Sequence, residues 1–417
     1  EIGATTADVF VLNSFYLSAL IVSFSALFTA YYLYKHRKTL PVEEALVSVV
    51  MLVWGLLWWF GAGFHEILKH VNDTYDQYAI LGFMAESAAV ITVLRRRLDW
   101  KNLCFPPLLL LPVMVISTML VFGAASINHP LAQAGWLAWP FAFVVQYWLL
   151  RRLETDWPKE LVPFLHSATF WLVVFLATWE AAWVIEQATT GTTWSYITWA
   201  LVPTAVIMTL PGLESRFTWP IREFKISYLG LGLLPIILAV GIWILHASLQ
   251  PGDLRPLPYI PLLNPLELSQ CLVLIAILRW SWHGLLEISE QSRWFAFTAL
   301  SFITLNGMIA RATHYLGDIA FNMDALWNSP TYQSAVSITW TLVALGIMVT
   351  STKLKQHAAW MVGSVLLGVV VLKLFLVDLA EIGTVARIVS FIIVGLLILL
   401  IGYLSPLPPR TKESPET

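Results

Sequence analysis

The chain has 417 residues, 58% of them hydrophobic and only 12% charged, with a formal net charge of −2. Soluble domains carry about 25% charged residues, so this composition excludes a water-soluble globular protein, and the near-neutral balance gives no reason to expect nucleic acid as a partner. Trp, present 21 times, is a residue that concentrates at the membrane–water interface.

A helix crossing the hydrocarbon core needs about 20 mostly apolar residues, because the core is about 30 Å thick and a helix rises about 1.5 Å per residue. In chain order this rule predicts thirteen spans: 9–34, 45–66, 77–95, 103–124, 135–151, 161–187, 194–212, 227–249, 265–287, 294–316, 332–352, 357–379 and 384–404. The predicted fold class is all-α, a polytopic integral membrane helical bundle forming a single domain over residues 1–404. The first apolar run is long enough to span, so it does not read as a signal peptide. Glu1 stands where Met would, which predicts a processed, trimmed or partial chain. The polar, Pro-rich tail 405–417 is expected to be disordered.

Charge orients the bundle. Eighteen of the 24 Lys and Arg lie in alternate loops and the tail, beginning with KHRKTLPVEE and RRRLDWKN, while the other loops hold only Lys69 and Arg255. The positive-inside rule then predicts an external N-terminus and a cytoplasmic C-terminus. Cys104 and Cys271 fall near opposite faces on this topology, so they are read as packing residues and not as a disulfide.

An ionisable side chain within a span is costly and usually faces the bundle interior. The second span ends in HEILKH, residues 65–70. A zinc-protease helix needs its second His four residues after the first. Here His70 lies five on, about 140° round the helix, so Glu66 and His70 are expected to form an ordinary i,i+4 pair. Glu86 lies mid-span among Gly82, Ala85, Ala88 and Ala89, small residues that suit close helix packing. Glu180 and Glu186 lie in the outer third of the sixth span. His166, His246 and His283 are read as packing residues. The sequence contains no Walker loop, dinucleotide fingerprint, Cys/His metal cluster or nucleophile elbow, so no cofactor and no metal are expected.

The tenth span is the most informative. Gly307, Arg311, His314 and Asp318 recur at steps of four, three and four, so they share one helix face. Two readings stand: a salt bridge holding a packed helix end, or the cationic, titratable wall of an outward-facing pocket. Downstream, Lys373 lies inside the twelfth span, Asp378 and Glu381 follow near its end, and Arg387 opens the thirteenth. A buried Lys must pair or lose its proton, so Asp378 or Glu381 is the expected partner of Lys373. Sharing acids is economical, so Arg311 and Lys373 are expected to converge on one network with Asp318, Asp378 and Glu381.

Several segments carry a resemblance: IPLLNPLELSQC at 260–271, Arg311-Ala-Thr-His314, KLFLVDL at 373–379, and RIVSF with GLLILLIGYLSPLPP up to 409. Over residues 255–409 the chain resembles the bacterial predicted-membrane-protein family known as domain-of-unknown-function family 2339. The resemblance implies a multi-pass protein of the bacterial inner membrane. It also implies that this chain is a short member or the C-terminal portion of a longer protein. It brings no established activity, and whether the protein is an enzyme stays open.

Two functional expectations follow. In the first, an outward-facing pocket handles an anionic or glycan-bearing envelope lipid, by transfer or translocation. Arg311, Lys373, Asp378, Glu381 and Arg387 would bind the substrate, with His314, Asp318, Glu86 or Glu180 as candidate acid/base groups. In the second, the protein is a non-catalytic scaffold or assembly partner whose charges lock helices and whose apolar surface docks other membrane proteins. Membrane lipids are expected partners in both.

Overall fold

The computed structural model describes residues 9–39, 41–123, 129–189, 192–255, 257–283, 285, 287–374, 392, 395 and 399. Asp378, Glu381 and Arg387, the thirteenth span and the 405–417 tail lie outside the described residues. Thirteen α-helices are described: α1 (Ser14–His36), α2 (Val42–His70), α3 (Asp76–Leu98), α4 (Leu110–Gly123), α5 (Gly135–Leu153), α6 (Leu161–Ala188), α7 (Thr192–Leu213), α8 (Leu233–Ser248), α9 (Pro265–His283), α10 (Glu290–Gly317), α11 (Met323–Trp327), α12 (Pro330–Leu354) and α13 (His357–Lys373). No strand occurs among the described residues.

By length and apolarity, nine segments among the described residues can cross a membrane. They correspond to α1, α2, α3, α6, α7, α10 and α12, to Lys101–Gly123 leading through α4, and to Ile226–Ser248 leading through α8. Nine of the thirteen expected spans are matched in this way, and the thirteenth, 384–404, lies outside the described residues. Of the rest, α5 carries Gln146, Arg151 and Arg152, α9 carries Glu267, Gln270 and Arg279, and α13 is apolar with 17 residues in its described part. The sequence rule counted apolar runs and tolerated these polar positions.

Helix ends follow local chemistry. The Asn13 side chain accepts from Tyr16 N at 2.8 Å and opens α1, as a side-chain oxygen at an N-cap does. Ser329 accepts from Tyr332 N at 3.3 Å and precedes Pro330, whose missing N–H costs nothing in a first turn. α3 closes on basic residues Arg95, Arg96 and Arg97, which complement the negative end of the helix dipole.

The chain forms two compact units. In the first, residues 1–240 and 275–289, a core of Leu81, Met84, Met114, Ala142, Leu149 and Leu172 joins α3, α4, α5 and α6. Its α1 and α2 are tied by interhelical hydrogen bonds, Ser23 Oγ to Gly55 O and Ser48 Oγ to Ala30 O, both 2.8 Å. Small polar residues at such interfaces let backbones approach and bond across helices. The second unit, residues 241–274 and 290–417, contains α10 to α13, the end of α8 and the start of α9.

Candidate functional site

Within the second unit, Arg311 of α10 and Glu267 of α9 are both 0% exposed. Burying charges this way is tolerated only when the remaining donors and acceptors are met. Arg311 Nε donates to Glu267 Oε1 at 3.2 Å, and Nη2 donates to Gln270 Oε1 at 2.7 Å. Nη1 reaches the carbonyls of Ala247, at 3.1 Å, and Gln250, at 3.4 Å. Glu267 is held in turn by the Tyr259 hydroxyl and by Leu262 N, each donating at 2.7 Å. Gln270 Nε2 donates onward to Ser248 Oγ at 3.1 Å. The guanidinium therefore clamps the end of α8, the 249–264 loop and the first turns of α9 onto α10.

Two glycines let the clamp close. A Cβ on Gly307 would sit 2.9 Å from the Ser248 carbonyl oxygen, so only Gly allows α10 to meet the α8 backbone here. Gly252 adopts φ +70°, where a Cβ would crowd Leu266 at 2.8 Å, and this left-handed turn is one that Gly enters at little cost. Outside the spans, burial pushes the Tyr259 phenol above its usual range, and its bond to Glu267 adds to the shift. On the same loop, the hydrogen bond from Arg255 holds the Asp253 carboxyl below its usual range.

The polar stripe on α10 is thus divided. Arg311 is enclosed; His314 Nδ1 donates to the Ile319 carbonyl at 2.6 Å, with its ring against Tyr315 and Phe321. Asp318 is exposed, at φ +53°, and makes no ion pair among the described residues. Among the described residues the acid that neutralises Arg311 is Glu267, not Asp318. Lys373 donates to the Gln333 carbonyl at 3.0 Å and Ser337 Oγ at 2.8 Å, both on α12. Its expected partners Asp378 and Glu381, and Arg387, lie outside the described residues.

In the first unit, Glu66 is 2% exposed. It accepts from Asn13 Nδ2 at 2.8 and 2.9 Å and from Val11 N at 2.7 Å, and its i,i+4 partner His70 stands 3.4 Å away. HEILKH therefore anchors the start of α1. Glu180 receives His129 Nδ1 at 3.0 Å and Leu131 N at 3.1 Å, while the His129 ring stacks on Trp183 at 3.5 Å. His166 is fully buried, shares a 3.1 Å hydrogen bond with Tyr228 and stacks on Phe224. Glu86 and Glu186 are exposed, and Glu86 makes no hydrogen bond or ion pair among the described residues. Among those residues no group of three His, Cys, Asp or Glu is placed to hold a metal ion.

Sequence reasoning overlooked Glu267 and Gln270. Their signal was present: Asn264-Pro265 marks a helix start, Asn264 Oδ1 caps it by accepting from Leu266 N at 2.9 Å, and Glu267 and Gln270 then share a face three residues apart. Spacing along α9 alone does not say that this face meets Arg311.

A buried ion pair, small residues at helix contacts and nine apolar segments of spanning length among the described residues mark a multi-pass helical membrane protein. The chain belongs to the predicted-membrane-protein family DUF2339, whose profile matches residues 4–408, nearly its whole length and well beyond the C-terminal third that carried the resemblance. No curated protein and no solved structure matches it.

Proposed function

We propose that the protein is a non-catalytic membrane scaffold, an assembly partner for other proteins of the bacterial inner membrane. The observation that carries this reading is the closed Arg311 cluster: the guanidinium makes four hydrogen bonds to protein, Glu267 accepts three, and both side chains are wholly enclosed. A site that binds an anionic or glycan-bearing envelope lipid through Arg311, Lys373 and Arg387 needs cationic donors facing a cavity, and Arg311 offers none. The remaining candidates also favour structure, since His314 is bound to its own chain and Lys373 to α12.

The docking face we assign lies on α3. Glu86 is exposed at the middle of that helix, and nothing lies within 4 Å of a Cβ placed on Gly82, one turn away. A carboxyl facing hydrocarbon is costly, and a small residue beside it admits another backbone. The matching partner is a membrane helix bearing a basic or hydrogen-bonding side chain at the same depth. The test is photocrosslinking from positions 82 and 86 in native membranes, in the wild type and in Glu86→Ala. A discrete adduct with a membrane protein, lost in the variant, supports the scaffold. Crosslinks to lipid alone, unchanged by the substitution, overturn it.

A further inference from the structure

A crevice in the first unit has a character unlike the closed clusters above. Its apolar wall includes Leu229, Leu233 and Leu285, and its rim carries Glu214, Lys225 and Arg279 beside Trp280. Its cavity is small, about 80 Å³, and opens at the surface. It lies where α7 ends, α8 begins and α9 ends. The segment joining α7 to α8 there is irregular, with two π-helical turns at Thr218–Arg222 and Ile226–Gly230 and an extended Trp219. In membrane proteins, backbone that departs from the α-helix at membrane depth survives where it is buried or lines a cavity.

The charges at this rim do not cancel. Lys225 pairs with Glu214 at 3.0 Å, whereas Arg279 is exposed and makes no hydrogen bond or ion pair among the described residues. Trp280 packs beside it, 8% exposed. The crevice combines an excess cation with an apolar wall, and these two features match one ligand chemistry, an anionic headgroup attached to a hydrocarbon chain. Basic pockets between membrane helices at the cytoplasmic end bind phospholipid headgroups in this way, and the loop holding Arg216, Arg222 and Lys225 is one of the basic loops that mark that end.

We propose that this crevice holds one anionic phospholipid, with its phosphate against Arg279 and Lys225 and an acyl chain running out over Leu285. The site is independent of the scaffold reading, because it shares no residue with the Arg311 cluster or with α3. The cavity seats no more than the phosphate, and the rest of the lipid would stay anchored in the bilayer and act as a fixed constituent of the unit.

The experiment measures lipid binding to the purified full chain in detergent by native mass spectrometry, using phosphatidylglycerol and phosphatidylcholine. Wild type is expected to retain one phosphatidylglycerol in preference to phosphatidylcholine. Arg279→Gln should weaken phosphatidylglycerol binding about five-fold, the loss of one basic contact with an anionic lipid surface, and Arg279→Lys should restore most of it. Leu285→Trp, at the exposed edge of the crevice, should lower occupancy of both lipids while keeping both cations. If Arg279→Gln does not fold, the Leu285→Trp arm and competition by inorganic phosphate decide. Equal retention of the two lipids, an unchanged preference in Arg279→Gln, or full displacement by inorganic phosphate would each overturn the proposal, the last by showing a free-anion site.

Discussion

Replacing Arg311 by Met leaves the apolar length of the side chain and removes its charge and donors. Glu267 would then lie 0% exposed with only Tyr259 and Leu262 N to hold it, and Gln270 and the carbonyls of Ala247 and Gln250 would lose a donor. Removing one member of a buried ion pair costs about 3–5 kcal/mol, on the order of a hundredfold to a few thousandfold in the folded-to-unfolded ratio. Changing both members, Arg311→Met with Glu267→Gln, removes the uncompensated charge, and paired apolar replacements of this kind are often close to neutral. The double variant should therefore be more stable than Arg311→Met alone. The assay is a double-mutant cycle read by denaturant titration of the detergent-solubilised chain, following Trp fluorescence and using both single variants. Additive effects of the two substitutions would refute the clamp. A fully stable Arg311→Met that loses a cellular function would refute the structural role and restore the binding one.

Gly307→Val should destabilise by about 1–3 kcal/mol, since its Cβ meets the Ser248 backbone at 2.9 Å and overpacking has that cost; Gly82→Ala, with open space at its Cβ, should be tolerated, and the two are compared by thermal unfolding. The raised pKa of Tyr259 means the folded state holds that proton more tightly than the unfolded chain. Its contribution is fully present below the unfolded value of about 10 and is lost as pH rises through the folded value. Tyr259→Phe should therefore show a smaller loss of stability above about pH 10 than wild type, measured as unfolding midpoints from pH 8 to 11. A Cys placed in the 317–331 loop, in a chain with Cys104 and Cys271 replaced, should react with an impermeant thiol reagent from outside intact cells; labelling only after permeabilisation would invert the topology.

Hydropathy alone determined that this is a helical membrane protein, because apolar stretches of spanning length must satisfy their backbone internally once water is absent. Local spacing also predicted the Glu66–His70 pair, whose geometry a single helix sets. It could place Arg311, His314 and Asp318 on one face, yet it could not say which of them would be enclosed. That was decided where α10 meets α8 at Gly307 and Ser248, a contact that lays Glu267 and Gln270 against the guanidinium and leaves Asp318 outside. The same limit explains Glu86, which is one residue from buried Ala85 but faces outward. Sequence periodicity ranks residues along a helix and around it, whereas the partner of a buried charge depends on which faces approach closely. Those approaches are set by side-chain volume between helices far apart in the chain.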